Sequence, residues 1–294
     1  MQKKDLYMIY DCFLFNNELE ILEIRLNELA GVVDKFVITE STVTHMNKPK
    51  RLHYYENRKK FEKFKSQIIH NVIKDSPNVN NPWIINDFQF SQMARGLDQA
   101  KPEDIILFGD ADEIPHSKKI IEWSKIGGKH KVFYQWMAFY FLNYASTKPY
   151  NWPGTHMMKL SDLKKLQTMW IAKYSKVDDY IPQGGWHLSY MGGIKRIQEK
   201  ISAQAHQEYN TDKYNTPENI MLAIKQGKDF MGVGERFKIM SDDFLPEYVA
   251  KNKKQFKNLL LEKEFGRVEV LFSGVPLAIK QKVRIYARRL KNKK

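Results

Sequence analysis

Ile105-Ile106-Leu107-Phe108 is an uninterrupted apolar run that leads straight into Gly109, and three carboxylates come within the next four residues: Asp110, Asp112 and Glu113. A run this short, bounded by polar residues, predicts a buried strand. Burying it places three negative charges at one end of a sheet, where each must meet water, a counter-ion or a ligand.

The flanking sequence alternates. Leu6 to Tyr10 is a strand candidate, and Asn17 to Ala30 repeats leucine and isoleucine at helical spacing, with Gly31 as its stop. Lys35 to Thr39 is strand-like, Asn57 to Lys65 helical, Gln67 to Ile73 strand-like, Asp87 to Ala100 helical, and Asp104 to Phe108 a strand again. This alternation predicts an α/β fold with a mostly parallel central sheet and helices on its faces. Ligands of such sheets bind beyond the carboxyl ends of the strands. The expected ends carry Tyr10 and Asp11, Glu40 with Ser41, and the Asp110 cluster.

From about Lys131 aromatics become dense (VFYQWMAFYFLNY, then KPYNWPG), which predicts antiparallel strands and an aromatic-lined surface. Gln183 to Gly193 is a short strand bracketed by glycine pairs, and Ile194 to Tyr209 and Pro217 to Gln226 are expected helices. The division implied is one domain over 1–240, with halves meeting near residue 115, and then a basic helical extension over 241–294.

Net charge is +14, which points to polyanions, anionic membrane surfaces or phosphate-bearing ligands without choosing among them. Cys12 is the single cysteine, so no internal disulfide forms and a reducing compartment is expected. No stretch approaches the roughly 18 consecutive apolar residues of a membrane span, and the N-terminal MQKKDLYMIYDCFLF is interrupted by Asp5 and Asp11. A soluble, cytoplasmic protein is the expectation.

Two aspartates one residue apart after a buried strand suit a hard divalent cation, Mn2+ or Mg2+, which takes oxygen ligands and keeps positions for substrate phosphates. Gly109 permits a tight turn or close approach, and Pro115 stops the segment and rigidifies it. A metal-dependent nuclease or a nucleotidyltransferase would use similar groups. Neither is favoured: the basic residues concentrate in the tail rather than around Asp110, and no glycine-rich phosphate loop succeeds the first strand.

Four stretches, LYMIYDCFLFNNELEILEIRLNEL, VDKFVITESTVTHMNKPK, ARGLDQAKPEDIILFGDADEIP and GGWHLSY, resemble glycosyltransferase family 17 in content and order, over roughly residues 5 to 235. Where the family carries GWHCSWC, this chain has GWHLSYM. The resemblance implies a GT-A fold (Rossmann-like) with a donor half to about residue 115 and an acceptor half to about 240. It also implies a UDP-sugar donor, UDP-GlcNAc in known members, a divalent cation, and inverting transfer to a glycan in a β linkage. No nucleic-acid partner is expected.

The resemblance also implies roles for single residues. Asp112 is the first choice as direct metal ligand, Asp110 stands nearer the ribose or a metal-bound water, and His187 is the candidate third ligand. Glu113 is placed to orient the site or touch the acceptor. Arg95, Lys195 and Lys200 are candidate diphosphate partners, and Tyr10, Asp11, Glu40 and Ser41 are placed for uracil and ribose. Trp152 and Trp186 are candidate sugar platforms. The general base is left open among Asp178, Asp179 and Glu113. The tail VRIYARRLKNKK sets Val283, Tyr286 and Leu290 along one helical stripe among cations. That pattern suits an anionic membrane surface, such as the inner leaflet carrying a lipid-linked glycan.

Overall fold

The computed structural model describes residues 7–126 and 128–265. Eleven strands form one branched sheet. In chain order they are β1 (Ile9–Leu14), β2 (Lys35–Ser41), β3 (Ile68–Ile73), β4 (Ile105–Asp110), β5 (Glu113–Pro115) and β6 (His130–Phe139). Then come β7 (Tyr144–Ser146), β8 (Trp152–Lys159), β9 (Asp179–Ile181), β10 (Gly185–Ser189) and β11 (Phe237–Ile239). The helices are α1 (Leu19–Leu29), α2 (His53–Asn57), α3 (Pro82–Ser91), α4 (Ser117–Trp123) and α5 (Leu160–Leu163), then α6 (Met169–Lys173), α7 (Ile194–Ala203), α8 (Pro217–Gln226) and α9 (Glu247–Lys251).

The first four strands run parallel in the order β3-β2-β1-β4. Antiparallel β8 continues the sheet beyond β4 and pairs in turn with β6. Strand β6 branches, pairing in parallel with β9 and β10, and β10 pairs antiparallel with the short β5 just past the acidic turn. This α/β arrangement agrees with the GT-A fold implied by the sequence.

The apolar run of β4 is continuous because both faces of the sheet are covered. Ile105 and Leu107 join Ile9, Phe13, Phe36 and the α1 leucines on one face. Ile106 and Phe108 join Tyr10, Cys12, Val37, Phe90 and Met93 on the other. A third cluster packs Ile197 and Ile201 of α7 and Ile220 and Ile224 of α8 against Phe139, Tyr190 and Phe237. The aromatic density after residue 131 is largely core.

Several boundaries differ from expectation. Strand β1 continues to Leu14, which pairs with Thr39 on one side and Asp110 on the other. Asp11, which reads as a strand end, is instead internal, and its charge is met by Arg25 at 2.6 Å. The helix expected over 87–100 starts at Pro82, where the Asn81 side chain caps Trp83 N, and gives way to a 3-10 turn at Gln92. That turn packs tightly on β2: a Cβ on Gly96 would sit 2.2 Å from Val37 Cγ1, so only glycine allows the contact. The helix expected over 57–65 is 3-10.

The boundary expected near residue 240 falls inside the packed core: Phe244, Leu245, Val249, Phe256 and Leu259 share a cluster with α1. Residues 241–265 form short turns and the five-residue α9 rather than one helix. The remainder of the basic extension lies outside the described residues. No helix among the described residues is long and apolar enough to cross a membrane.

Candidate active site

A cavity of about 600 Å³ opens where β1, β2 and β4 end, bordered by Phe15, Ser41 and Asp110 to Asp112. The second half of the chain closes it with Trp152, Lys173, His187, Tyr190 and Lys200. Both aspartates of the acidic turn meet lysines brought in by helices. Lys173 ends α6, whose Met169 and Ala172 anchor it in the core, and its Nζ lies 3.2 Å from Asp110 Oδ2. Lys200 lies about one turn beyond Ile197 on α7, and its Nζ is 2.6 Å from Asp112 Oδ2 and 3.2 Å from Glu18 Oε1.

These pairs decide the charge states. Burial pushes the Asp112 carboxyl up, but the Lys200 ammonium outweighs it and holds the group well below the usual carboxylate range. Burial alone would lower the pKa of each lysine; Asp110 and Glu113 raise Lys173, and Asp112 and Glu18 raise Lys200. The Asp112 carboxylate and both ammoniums therefore stand charged in one cavity.

Glu113 turns away from the cavity and builds its floor. Its carboxylate accepts from Asp110 N at 3.0 Å and from Trp152 Nε1 at 2.9 Å. Burial pushes this carboxyl up to about 7, against the opposing charge of Lys173. A Cβ on Gly109 would sit 2.6 Å from Glu113 Oε2 and 3.2 Å from Thr155 Cα. The glycine thus makes room for the Glu113 carboxylate rather than for a bound molecule. Trp152, held by Glu113, stacks on His187 with ring centres 4.4 Å apart.

Beneath the turn lies a buried residue that sequence reasoning missed. The Arg25 guanidinium is fully buried, holds Asp11 through two nitrogens, and donates from Nη1 to the carbonyls of Asp110, Ala111 and Glu113 at 3.1, 3.2 and 2.6 Å. One planar donor set thereby shapes the acidic turn. Arg25 stands at helical spacing from Ile21, Leu22 and Leu29, on the otherwise apolar face of α1, and that placement was the available signal. Lys173 gave none, being one of 48 basic residues.

The donor set for a cation is narrower than expected. Among the described residues no three His, Cys, Asp or Glu side chains converge as a metal cluster. Asp112 Oδ1 and His187 Nε2 face one another at 3.7 Å, too far for a hydrogen bond, and His187 Nδ1 is buried without a partner. Burial lowers the His187 pKa despite Asp112, which keeps a nitrogen lone pair available. Magnesium and manganese sites often use one or two protein ligands and fill the rest with phosphates and water. Asp112 and His187 fit that pattern because Asp112 Oδ1 faces His187 while Oδ2 meets Lys200; Asp110 meets Lys173 and faces no histidine.

Other expected site residues lie elsewhere. Tyr10 is buried among the core residues of β1, and Asp11 is sealed by Arg25. Glu40 is also fully buried, where its carboxylate caps α2 by accepting from Tyr54 N and Tyr55 N and pairs with His70. Arg95 forms an exposed bidentate pair with Asp75. Lys195 is exposed on α7 and does not border the cavity. Trp186 faces the other way, donating to Phe244 O at 2.5 Å and stacking on His116. Asp178 caps the start of β6 through Lys129 N and His130 N and is absent from the cavity lining. Asp179, on β9, is likewise absent from that lining. Ser41 does border the cavity and accepts from Gln89 at 2.9 Å.

The sequence is similar to known enzymes. Over 108 residues it is 30% identical to the beta-1,4-mannosyl-glycoprotein 4-beta-N-acetylglucosaminyltransferases of Homo sapiens and Rattus norvegicus, and 29% to that of Mus musculus. The matched stretch covers 34% of this chain and 20% of each relative, so the chain spans about a fifth of the length of the curated relatives it matches. A profile of glycosyltransferase family 17 matches residues 1–263. That match takes in every element that builds the cavity, and the chain belongs to glycosyltransferase family 17.

Proposed function

We propose that this glycosyltransferase moves N-acetylglucosamine from UDP-GlcNAc to a glycan acceptor, with inversion to a β linkage and with Mn2+ or Mg2+ as cofactor. The observation that carries the reading is the cluster of two aspartates and two lysines at the mouth of a parallel sheet. In the transfer, the acceptor oxygen bonds to the anomeric carbon from the face opposite the diphosphate. The carbon–oxygen bond to UDP breaks, its electron pair leaves on the diphosphate, and a base takes the hydroxyl proton.

Asp112 and His187 would hold the cation, whose charge offsets that of the departing diphosphate. Lys173 and Lys200 add two fixed positive charges, and burial makes them count for more than in water. Ser41 at the end of β2 and Gln89 on α3, both bordering the cavity, offer hydrogen bonds to the nucleoside. The Trp152 ring, clamped between Glu113 and His187, offers a flat apolar face to a sugar. Glu113 acts through its neighbours, fixing Asp110 and Trp152.

The test is hydrolysis of a panel of UDP-sugars without acceptor, with and without Mn2+. Slow, cation-stimulated release of UDP from UDP-GlcNAc is expected. Absence of turnover with any nucleotide sugar, together with salt-sensitive DNA binding, would overturn the reading. The basic sequence of residues 276–294 supports a further element: a cytoplasmic enzyme held reversibly at an anionic membrane near a lipid-linked acceptor. Sedimentation with anionic liposomes should then separate the full chain from one truncated after Gly274, and equal binding by both removes the tail from this role.

A further inference from the structure

A second cavity, of about 320 Å³, adjoins the first and shares Glu18, Thr44, Lys50, Tyr190 and Lys200 with it. Asn17, His53 and Arg196 complete much of its wall. Four lysines and arginines border the two cavities: Lys50, Lys173, Lys200 and Arg196. Three of them are paired. Lys173 meets Asp110, Lys200 meets Asp112 and Glu18, and Arg196 meets Glu20 at 2.5 Å. Lys50 differs, since its Nζ is buried and has no hydrogen-bond partner among the described residues. Glu40 and Glu18 act on it only at a distance, and burial lowers its pKa.

The segment that carries Lys50 is built to hold it there. Residues 42–50 fold back on themselves, with Lys50 N donating to Thr42 O at 2.9 Å and Thr44 N to Lys48 O at 2.8 Å. His45 N ties the loop to the end of α7 through Ala203 O at 3.2 Å. The same loop carries a second buried orphan, His45 Nδ1, on the wall of the larger cavity. An ammonium withdrawn from water without a counter-ion is costly, and a rigid loop that keeps it so leaves a charge for a ligand to meet. A neutral hydroxyl would satisfy one donor; an anion would also satisfy the charge.

We propose that Lys50 binds an anionic group, a phosphate or carboxylate carried by the acceptor, in the smaller cavity beside the donor site. The inference rests on the proposed function for the location of the donor and names the acceptor's chemical class. The donor diphosphate belongs with Lys173 and Lys200, so the Lys50 site should stay open when UDP is bound.

The test uses the full chain, wild type and Lys50→Met, which keeps the aliphatic stem. Calorimetric titrations at constant ionic strength would use UDP, then inorganic phosphate and glucuronate on UDP-saturated protein, with glucose as the neutral control. Phosphate or glucuronate should bind the saturated wild type, and K50M should weaken that binding at least tenfold while changing UDP affinity less than threefold. K50M without ligand should also melt about 2–4 °C higher, because a buried unpaired charge has gone. The proposal is overturned if neither anion binds saturated wild type, if both forms bind them equally, or if K50M chiefly weakens UDP. Should K50M not fold, the wild-type titrations and Lys50→Gln decide in the same way. If UDP itself fails to bind, the proposed function is what fails, and the anion titrations on ligand-free protein still report on Lys50.

Discussion

At Asp112 burial and charge pull in opposite directions, and charge wins: Lys200 at 2.6 Å holds the carboxylate ionised although it is only 5% exposed. Read as a turn residue, it would be dispensable to stability. Buried and paired, it is not. Asp112→Asn should lower turnover of UDP-GlcNAc by about 100-fold or more. It should also cost about 1–3 kcal/mol in urea denaturation, a modest loss because Lys200 keeps Glu18. Near-normal turnover at saturating Mn2+ would remove Asp112 from the site. Arg25 makes a different demand, since one guanidinium spans Asp11 and three carbonyls of the acidic turn. A lysine cannot cover that set. Arg25→Lys should therefore reduce kcat about tenfold, with KM for the donor much less affected, because the turn loses its shape and not its charges. Equal changes in kcat and KM would argue against a positioning role.

Elements were legible where local chemistry was unambiguous. The strand before Asp110 and the helix Pro217–Gln226 sit where periodicity and capping put them. Helix α3 begins earlier than its apolar spacing suggests, although Asn81 before Pro82 is an N-terminal signal in plain view. Residues 241–265 read by their charge as the start of an extension, but their apolar residues enter the main core. Truncation after Met240 removes Phe244, Leu245, Val249, Phe256 and Leu259 from that core. Each buried side chain of this kind is worth about 1.5–3 kcal/mol, and the sum rivals the roughly 5–15 kcal/mol that holds a typical domain together. The truncated chain should lose its cooperative thermal transition. A sharp transition near the full-length midpoint would show that the segment is an appendage after all.

For the molecule as a whole, acid is the weak direction. His130 and His156 are buried as a neutral pair, Nε2 to Nδ1 at 2.8 Å, and burial lowers both pKa values. Burial also takes His45 down to about 4. The unfolded chain protonates all three near 6.5 while the folded one does not, so stability falls as pH drops below that value. The loss levels off only once the folded-state values are passed. Each such histidine contributes a slope of about 1.4 kcal/mol per pH unit. Urea midpoints should be flat from about pH 8 to 7 and decline steeply from about 6.5 towards 5; a flat profile would mean that these histidines titrate normally. The sequence by itself determined the α/β alternation, the buried strand and the acidic turn, because periodicity and charge are local properties of a chain. Asp112, His187, Lys200 and Trp152, singled out through the family resemblance, line the cavity. Only the tertiary structure decided that Asp11 and Glu40 are internal counter-charges, that Arg95, Lys195 and Trp186 point elsewhere, and that Lys50 is left unpaired. A side chain's partner is set by contacts distant in sequence: Arg25 meets Glu113 across 88 residues and Lys200 meets Asp112 across the same separation. Composition cannot say which of 48 cations closes such a pair and which is held apart from one.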